Sequence, residues 1–184
     1  MLIHKDLLRR HAGALSQQDA FRALAGVESN QKLAQRRYDI FLSHNFKDAV
    51  IVYGLALMLK AAGYHVFVDW LEAPGQDRDA VTPLTAEYLR KAMRNSDSLV
   101  YAVSTNAMDS RWMPWELGFS DGLHSRVAIL PIEEYQTQAD SYHGREYLGL
   151  YPYVTVEYLA AYPTYFVRQP GGITKVGLAD WVKR

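Results

Sequence analysis

Four short apolar, β-prone runs punctuate the chain: 38–43 (YDIFLS), 65–70 (HVFVDW), 99–104 (LVYAVS) and 127–132 (VAILPI). Each carries few charges and is bounded by polar residues, the texture of strands buried on both faces of a parallel sheet. Between them the period changes. Residues 47–62 place Val50, Tyr53, Leu57 and Met58 at helical spacing and stop at Gly63, a natural residue just past a helix end. Residues 83–95 repeat the pattern with Leu84, Tyr88, Leu89 and Met93, while 72–82 are rich in Pro, Gly and Asp and read as a loop. Downstream, 153–156 reads as a fifth strand and 178–182 as a closing helix. Upstream, Leu7, Leu8, His11, Leu15, Phe21, Leu24 and Val27 form a loose helical stripe broken at Gly13. Residues 4–25 are therefore predicted as one or two helices, followed by a polar stretch over 28–37.

Alternation of strand and helix predicts an α/β fold, with a parallel sheet covered by helices on both faces. The division expected is a helical extension over 1–37 and one α/β domain over 38–184. Composition changes this picture little. Of 184 residues, 49% are hydrophobic and 22% charged, ordinary values for a globular protein. The absence of cysteine excludes a disulfide framework, a thiolate metal site and a cysteine nucleophile. No apolar run approaches the roughly 20 residues that span a bilayer, and MLIHKDLLRR is too charged for a signal peptide, so the expected setting is cytoplasmic. Net charge is zero, but residues 1–37 hold seven Lys/Arg against three acids, leaving the rest at −4. An acidic body argues against a nucleic-acid surface there.

Open parallel sheets bind ligands at the carboxyl ends of their strands. Here those ends carry Ser43, His44, Asn45 and Phe46, then Asp69 and Trp70, then Ser104, Thr105 and Asn106, leading to SRWMPWEL at 110–117. Pro114 cannot sit deep in a helix, so a helix must begin within a turn before it. Trp112 and Glu116, four apart, then share one face, and an indole beside a carboxylate suits a flat ring joined to a sugar. The residues alone equally allow Glu116 to complement the helix dipole, with both tryptophans in the core. There is no Walker loop, no GxGxxG, no Gly-x-Ser-x-Gly elbow and no metal-ligand spacing among the six histidines, so no metal site is expected.

YDIFLSH (38–44), HVFVDW (65–70) and SRWMPWEL (110–117) resemble, in order and spacing, the three signature segments of TIR (Toll/interleukin-1 receptor) domains. The nearest resemblance is to bacterial single-domain TIR proteins of antiphage systems such as Thoeris. It implies a flavodoxin-like fold with a five-stranded parallel sheet. It also implies cleavage of NAD at the nicotinamide–ribose bond, with NAD as substrate and no further cofactor. The catalytic glutamate of the family falls on Glu116. Its stacking aromatic falls on Trp112, and its cleft-lining positions fall on Ser43, Phe46, Asp69 and Trp70. The loop at 71–81 matches the segment through which family members self-associate. Met113 stands where the family often has cysteine, and residues 1–37 match none of the family's segments.

One carboxylate is enough for this reaction. Glycosidases need a second carboxyl group to protonate a poor leaving oxygen. Nicotinamide leaves NAD as a neutral molecule from a cationic pyridinium, and only the developing ribosyl cation needs stabilising. The product is ADP-ribose or a cyclic isomer, according to which nucleophile lies closest. The expected role is antiviral signalling, with a nucleotide product reaching a downstream effector. Two other readings stand beside this one: a non-catalytic TIR–TIR interaction module and, less favoured because SRWMPWEL argues against it, a nucleoside deoxyribosyltransferase-like enzyme.

Overall fold

The computed structural model describes residues 1–25, 37–68, 82–136, 141–144, 146–159, 162–172 and 174–183. A two-residue strand, β1 (Ile3–His4), leads into α1 (Lys5–Ala12), which ends at Gly13 with φ 73°, and then into α2 (Gln17–Ala25). Gly13 thus breaks the N-terminal stripe into two helices, since left-handed backbone costs glycine nothing. The run at 38–43 forms β2 (Ile40–Ser43), and one 3-10 turn later α3 (Ala49–Ala61) begins. Next come β3 (Val66–Val68), α4 (Pro83–Arg94) and β4 (Leu99–Val103). Thr82 caps α4 by accepting from the Thr85 N–H at 3.1 Å, and Pro83 occupies the first turn, where its missing N–H is not needed. Then follow α5 (Trp112–His124), β5 (Val127–Glu133), β6 (Tyr153–Leu159), β7 (Tyr162–Arg168), β8 (Lys175–Gly177) and α6 (Leu178–Val182).

The sheet runs β3-β2-β4-β5-β6-β7-β8. Strands β3 to β6 along this path are mutually parallel, in the order second-first-third-fourth-fifth of the five strands expected. That is the doubly wound arrangement, with its switch point between β2 and β4. The sheet then continues with two antiparallel strands, β7 and β8, that the sequence reading lacks. Strand β1 also went unforeseen. It runs parallel to the end of β5, pairing Ile3 with Ile132, while the Val156 N–H donates to the Met1 carbonyl at 3.0 Å.

Side chains alternate across the sheet and sort the core into two layers. Ile40, Leu42, Val100, Ala102, Ala128 and Leu130 face α1, α2, α3 and α6. Phe41, Leu99, Tyr101, Val127 and Ile129 face α4 and α5. The first layer requires an unusually close helix crossing. A Cβ on Gly54 of α3 would stand 2.0 Å from the Leu8 carbonyl oxygen of α1. Leu8 itself is fully buried, so the N-terminal helices are packed into the first layer rather than lying loosely on it.

Candidate active site

Helix α5 crosses the sheet near the carboxyl ends of β2 and β4, held by Met113 and Leu117, both buried. Its start follows from two residues. The Met113 N–H finds the Ser110 hydroxyl at 3.2 Å, and Pro114 lies within the first turn, as the sequence requires. Glu116 falls between the two anchors and is carried inward, with 3% of its surface exposed. Ser43, the last residue of β2 and 1% exposed, donates its hydroxyl to Glu116 Oε2 at 2.5 Å. Tyr101 of β4 is the register partner of Ser43 and lies on the same face of the sheet.

Burial pushes the Glu116 carboxyl up to about 7, against the opposing pull of the Ser43 hydrogen bond. Desolvation therefore outweighs the single donor. Burial also raises the Tyr101 hydroxyl well above its usual range, and the charges of Tyr147, Glu116 and Tyr142 add to the effect. The result is a carboxyl group poised to gain or lose a proton near neutrality, in a low-dielectric setting where its charge acts strongly on a bound cation.

The loops leaving β2 and β4 are stitched together beside this pair. Asp48, buried, accepts from the Ser104 hydroxyl and from Asn106 Nδ2, the latter at 2.7 Å. Asn45 Nδ2 returns a bond to the Asn106 carbonyl at 2.6 Å, and Asn45 Oδ1 accepts from the Lys47 N–H at 2.9 Å. The two rims of the site thus share one polar network.

Of the residues selected from sequence, Ser43 and Glu116 come together. Phe46 lies on the adjoining 3-10 turn and is 48% exposed. Trp112 opens α5, half-buried, with its ring edge-on to Trp115 at 5.4 Å, and Trp115 in turn stacks on Phe119 at 5.8 Å. Arg90 and Arg94 of α4 lie over the Trp115 and Phe119 rings at 5.5 and 5.6 Å. Trp112 therefore begins an aromatic row along the helix. Asp69, Trp70 and the loop at 71–81 lie outside the described residues. Sequence reasoning missed Tyr101 and Asp48. Tyr101 could have been found, because period-2 alternation puts it and Ser43 on one face once β2 and β4 are neighbours.

The family profile for the TIR domain matches residues 40–152. A Bacillus cereus (strain MSX-D12) protein named as a probable 3' cyclic ADP-D-ribose synthase, ThsB', is 51% identical over 117 residues, covering 64% of this chain and 60% of that protein. A Cytobacillus dafuensis protein, named provisionally as a cyclic ADP-D-ribose synthase, TIR2, is 26% identical over 112 residues, covering 60% of this chain and 30% of its own. The chain thus spans less than two thirds of the length of either relative.

Proposed function

The chain belongs to the TIR domain family, and we propose that it cleaves NAD at the nicotinamide–ribose bond, with Glu116 as the residue acting on the ribose. The observation that carries this reading is the buried Glu116 carboxyl, held by Ser43 at the carboxyl ends of the parallel strands. The names given to the two relatives, each provisionally that of a cyclic ADP-D-ribose synthase, favour a cyclic isomer of ADP-ribose over the linear product.

In the first step the bond between the ribose anomeric carbon and the pyridinium nitrogen breaks, and its electron pair leaves with neutral nicotinamide. The ribosyl group left behind carries positive charge. Glu116, ionised, stabilises that charge from a site shielded from water. A substrate that brings a cationic ring to a carboxyl with a pKa of about 7 also favours the charged form of Glu116. In the second step a hydroxyl or ring nitrogen of the same nucleotide attacks the anomeric carbon, closing the cycle; water would give ADP-ribose. Where the nucleophile is a hydroxyl, its proton needs an acceptor, and a carboxylate with a pKa near neutrality is matched to that task.

Ser43 orients the carboxylate. Phe46, Trp112, Asp69 and Trp70 would line the pocket for the nucleotide. Self-association through 71–81 and a downstream effector reached by the cyclic nucleotide complete the proposed setting, antiviral signalling in the cytoplasm. No helix among the described residues is long and apolar enough to cross a membrane.

The test is to incubate the purified chain with NAD over a wide range of protein concentration and resolve products by chromatography and mass. A cyclic ADP-ribose isomer accumulating in step with nicotinamide is expected. NAD left intact at the highest protein concentration would remove the enzymatic reading and favour an assembly module.

A further inference from the structure

We infer that the N-terminal helices set the geometry of the two loops flanking Glu116, with Gln17 and Lys5 as positioning residues. The inference rests on Glu116 as the reacting carboxylate, and it concerns residues outside the 40–152 family match.

The observation behind it is a division of labour at the start of α3. Asp48 stands at the N-cap of this helix, where an aspartate normally accepts from an N–H of the first turn. It makes no such bond. Its carboxylate is turned to Ser104 and Asn106 on the other loop. Gln17, the first residue of α2, does the capping instead: its Oε1 accepts from the Val50 N–H at 3.4 Å. The same amide donates through Nε2 to the Lys47 carbonyl at 2.7 Å and the Phe46 carbonyl at 3.3 Å. Gln17 therefore grips the loop after β2 and frees Asp48 to tie that loop to its neighbour.

Lys5 of α1 acts on the second loop. Its stem is buried and its ammonium donates to the Thr105 hydroxyl at 2.9 Å and to Glu134. Between these two grips lies a pocket of about 440 Å³ open to the surface, its wall shared by polar side chains (Lys5, Gln17, Asp48) and apolar ones (Leu15, Val50, Ile51). On this side the two loops border the pocket, while Asn45, Asp48, Ser104 and Ala107 are buried on the other. Across that pocket, polar bridges from α1 and α2 reach both loops and add to the packing of Ala107 in the core.

Gln17→Glu separates positioning from simple stability. A carboxylate keeps the acceptor for the Val50 N–H, and the helix N-terminus favours its charge. It has no donor for the Lys47 and Phe46 carbonyls. The expected result is a melting temperature within about 2 °C of wild type, with amide exchange across 43–48 accelerated. KM for NAD should rise about threefold or more while kcat and the acidic limb of the pH profile stay put. Lys5→Met, which keeps the apolar stem, should do the same through faster exchange at 104–106. Wild-type exchange in these loops in either variant overturns the inference for that residue, whatever KM does. Because exchange needs no substrate, it decides the matter even if the wild-type chain leaves NAD intact, an outcome that would instead sink the proposed reaction.

Discussion

Ser43 and Glu116, 73 residues apart in the chain, meet through a 2.5 Å hydrogen bond between hydroxyl and carboxylate, buried beneath α5. The bond favours the ionised form of a group that burial otherwise holds neutral. Its removal has a definite sign. In Ser43→Ala the Glu116 pKa should climb further above 7, so the acidic limb of kcat/KM against pH moves upward. A hydrogen bond to a charged group is worth about 1.5 to 3 kcal/mol, which corresponds to a displacement of roughly one pH unit or more. A limb that stays in place or moves to lower pH would show that this hydroxyl does not tune the carboxylate.

Burying Glu116 should also cost stability, in a pH-dependent way. Its folded pKa of about 7 lies above the ordinary 4.5, so the folded state holds the proton more tightly than the unfolded chain does. Stability from this group is complete below pH 4.5 and is lost as the pH rises through about 7. Glu116→Gln, neutral at every pH, should therefore be more stable than wild type at pH 8, by an amount on the order of 3 kcal/mol at most. The gap should shrink steadily on acidification. Thermal unfolding of both proteins from pH 5 to pH 8 measures it, and a gap independent of pH contradicts the burial.

Two glycines should respond oppositely to the same change. At Gly54 an added methyl meets the backbone carbonyl of Leu8 at 2.0 Å, an atom that cannot swing aside, so α1 and α3 must separate. Gly54→Ala should lower unfolding free energy by more than about 2 kcal/mol. At Gly118, within α5, nothing lies within 4 Å of the new Cβ. Gly118→Ala should raise stability by about 0.5 to 1 kcal/mol through helix propensity. Denaturant titrations of the two variants give both numbers, and equal effects would contradict the packing described for α1.

Much of this architecture could be read from residues alone, for identifiable reasons. The strands at β2, β4, β5 and the start of β6 are buried on both faces, so each is a near-continuous apolar run that periodicity detects. Helix α6 begins and ends where predicted, at Leu178 and Val182. Strand β1 is only two residues long, and its existence depends on Ile132, far away in sequence. Strand β7 carries Pro163, which masks a strand pattern, and it is tolerable there only near the strand's beginning. At the site, Pro114 fixed where the helix carrying Glu116 starts, but the residues alone left open whether that carboxyl turns into the cleft, and only the resemblance to TIR segments pointed to it. The exchange of roles between Asp48 and Gln17 was not legible, since both are ordinary helix-start residues until the loop after β4 is placed beside them. Asp69 and Trp70 lie outside the described residues, so their expected roles stand as proposals.

The most direct measurement is the rate of nicotinamide release from NAD by wild type and by Glu116→Gln. The glutamine keeps the size of the side chain and an oxygen for the Ser43 hydroxyl, and removes only the charge and the ability to take a proton. If that charge stabilises the ribosyl cation that develops as nicotinamide departs, release should fall by about a hundredfold or more, with the protein folded and at least as stable as wild type at pH 8. Equal rates in the two proteins would mean that the reaction, if any, proceeds without the carboxylate at 116.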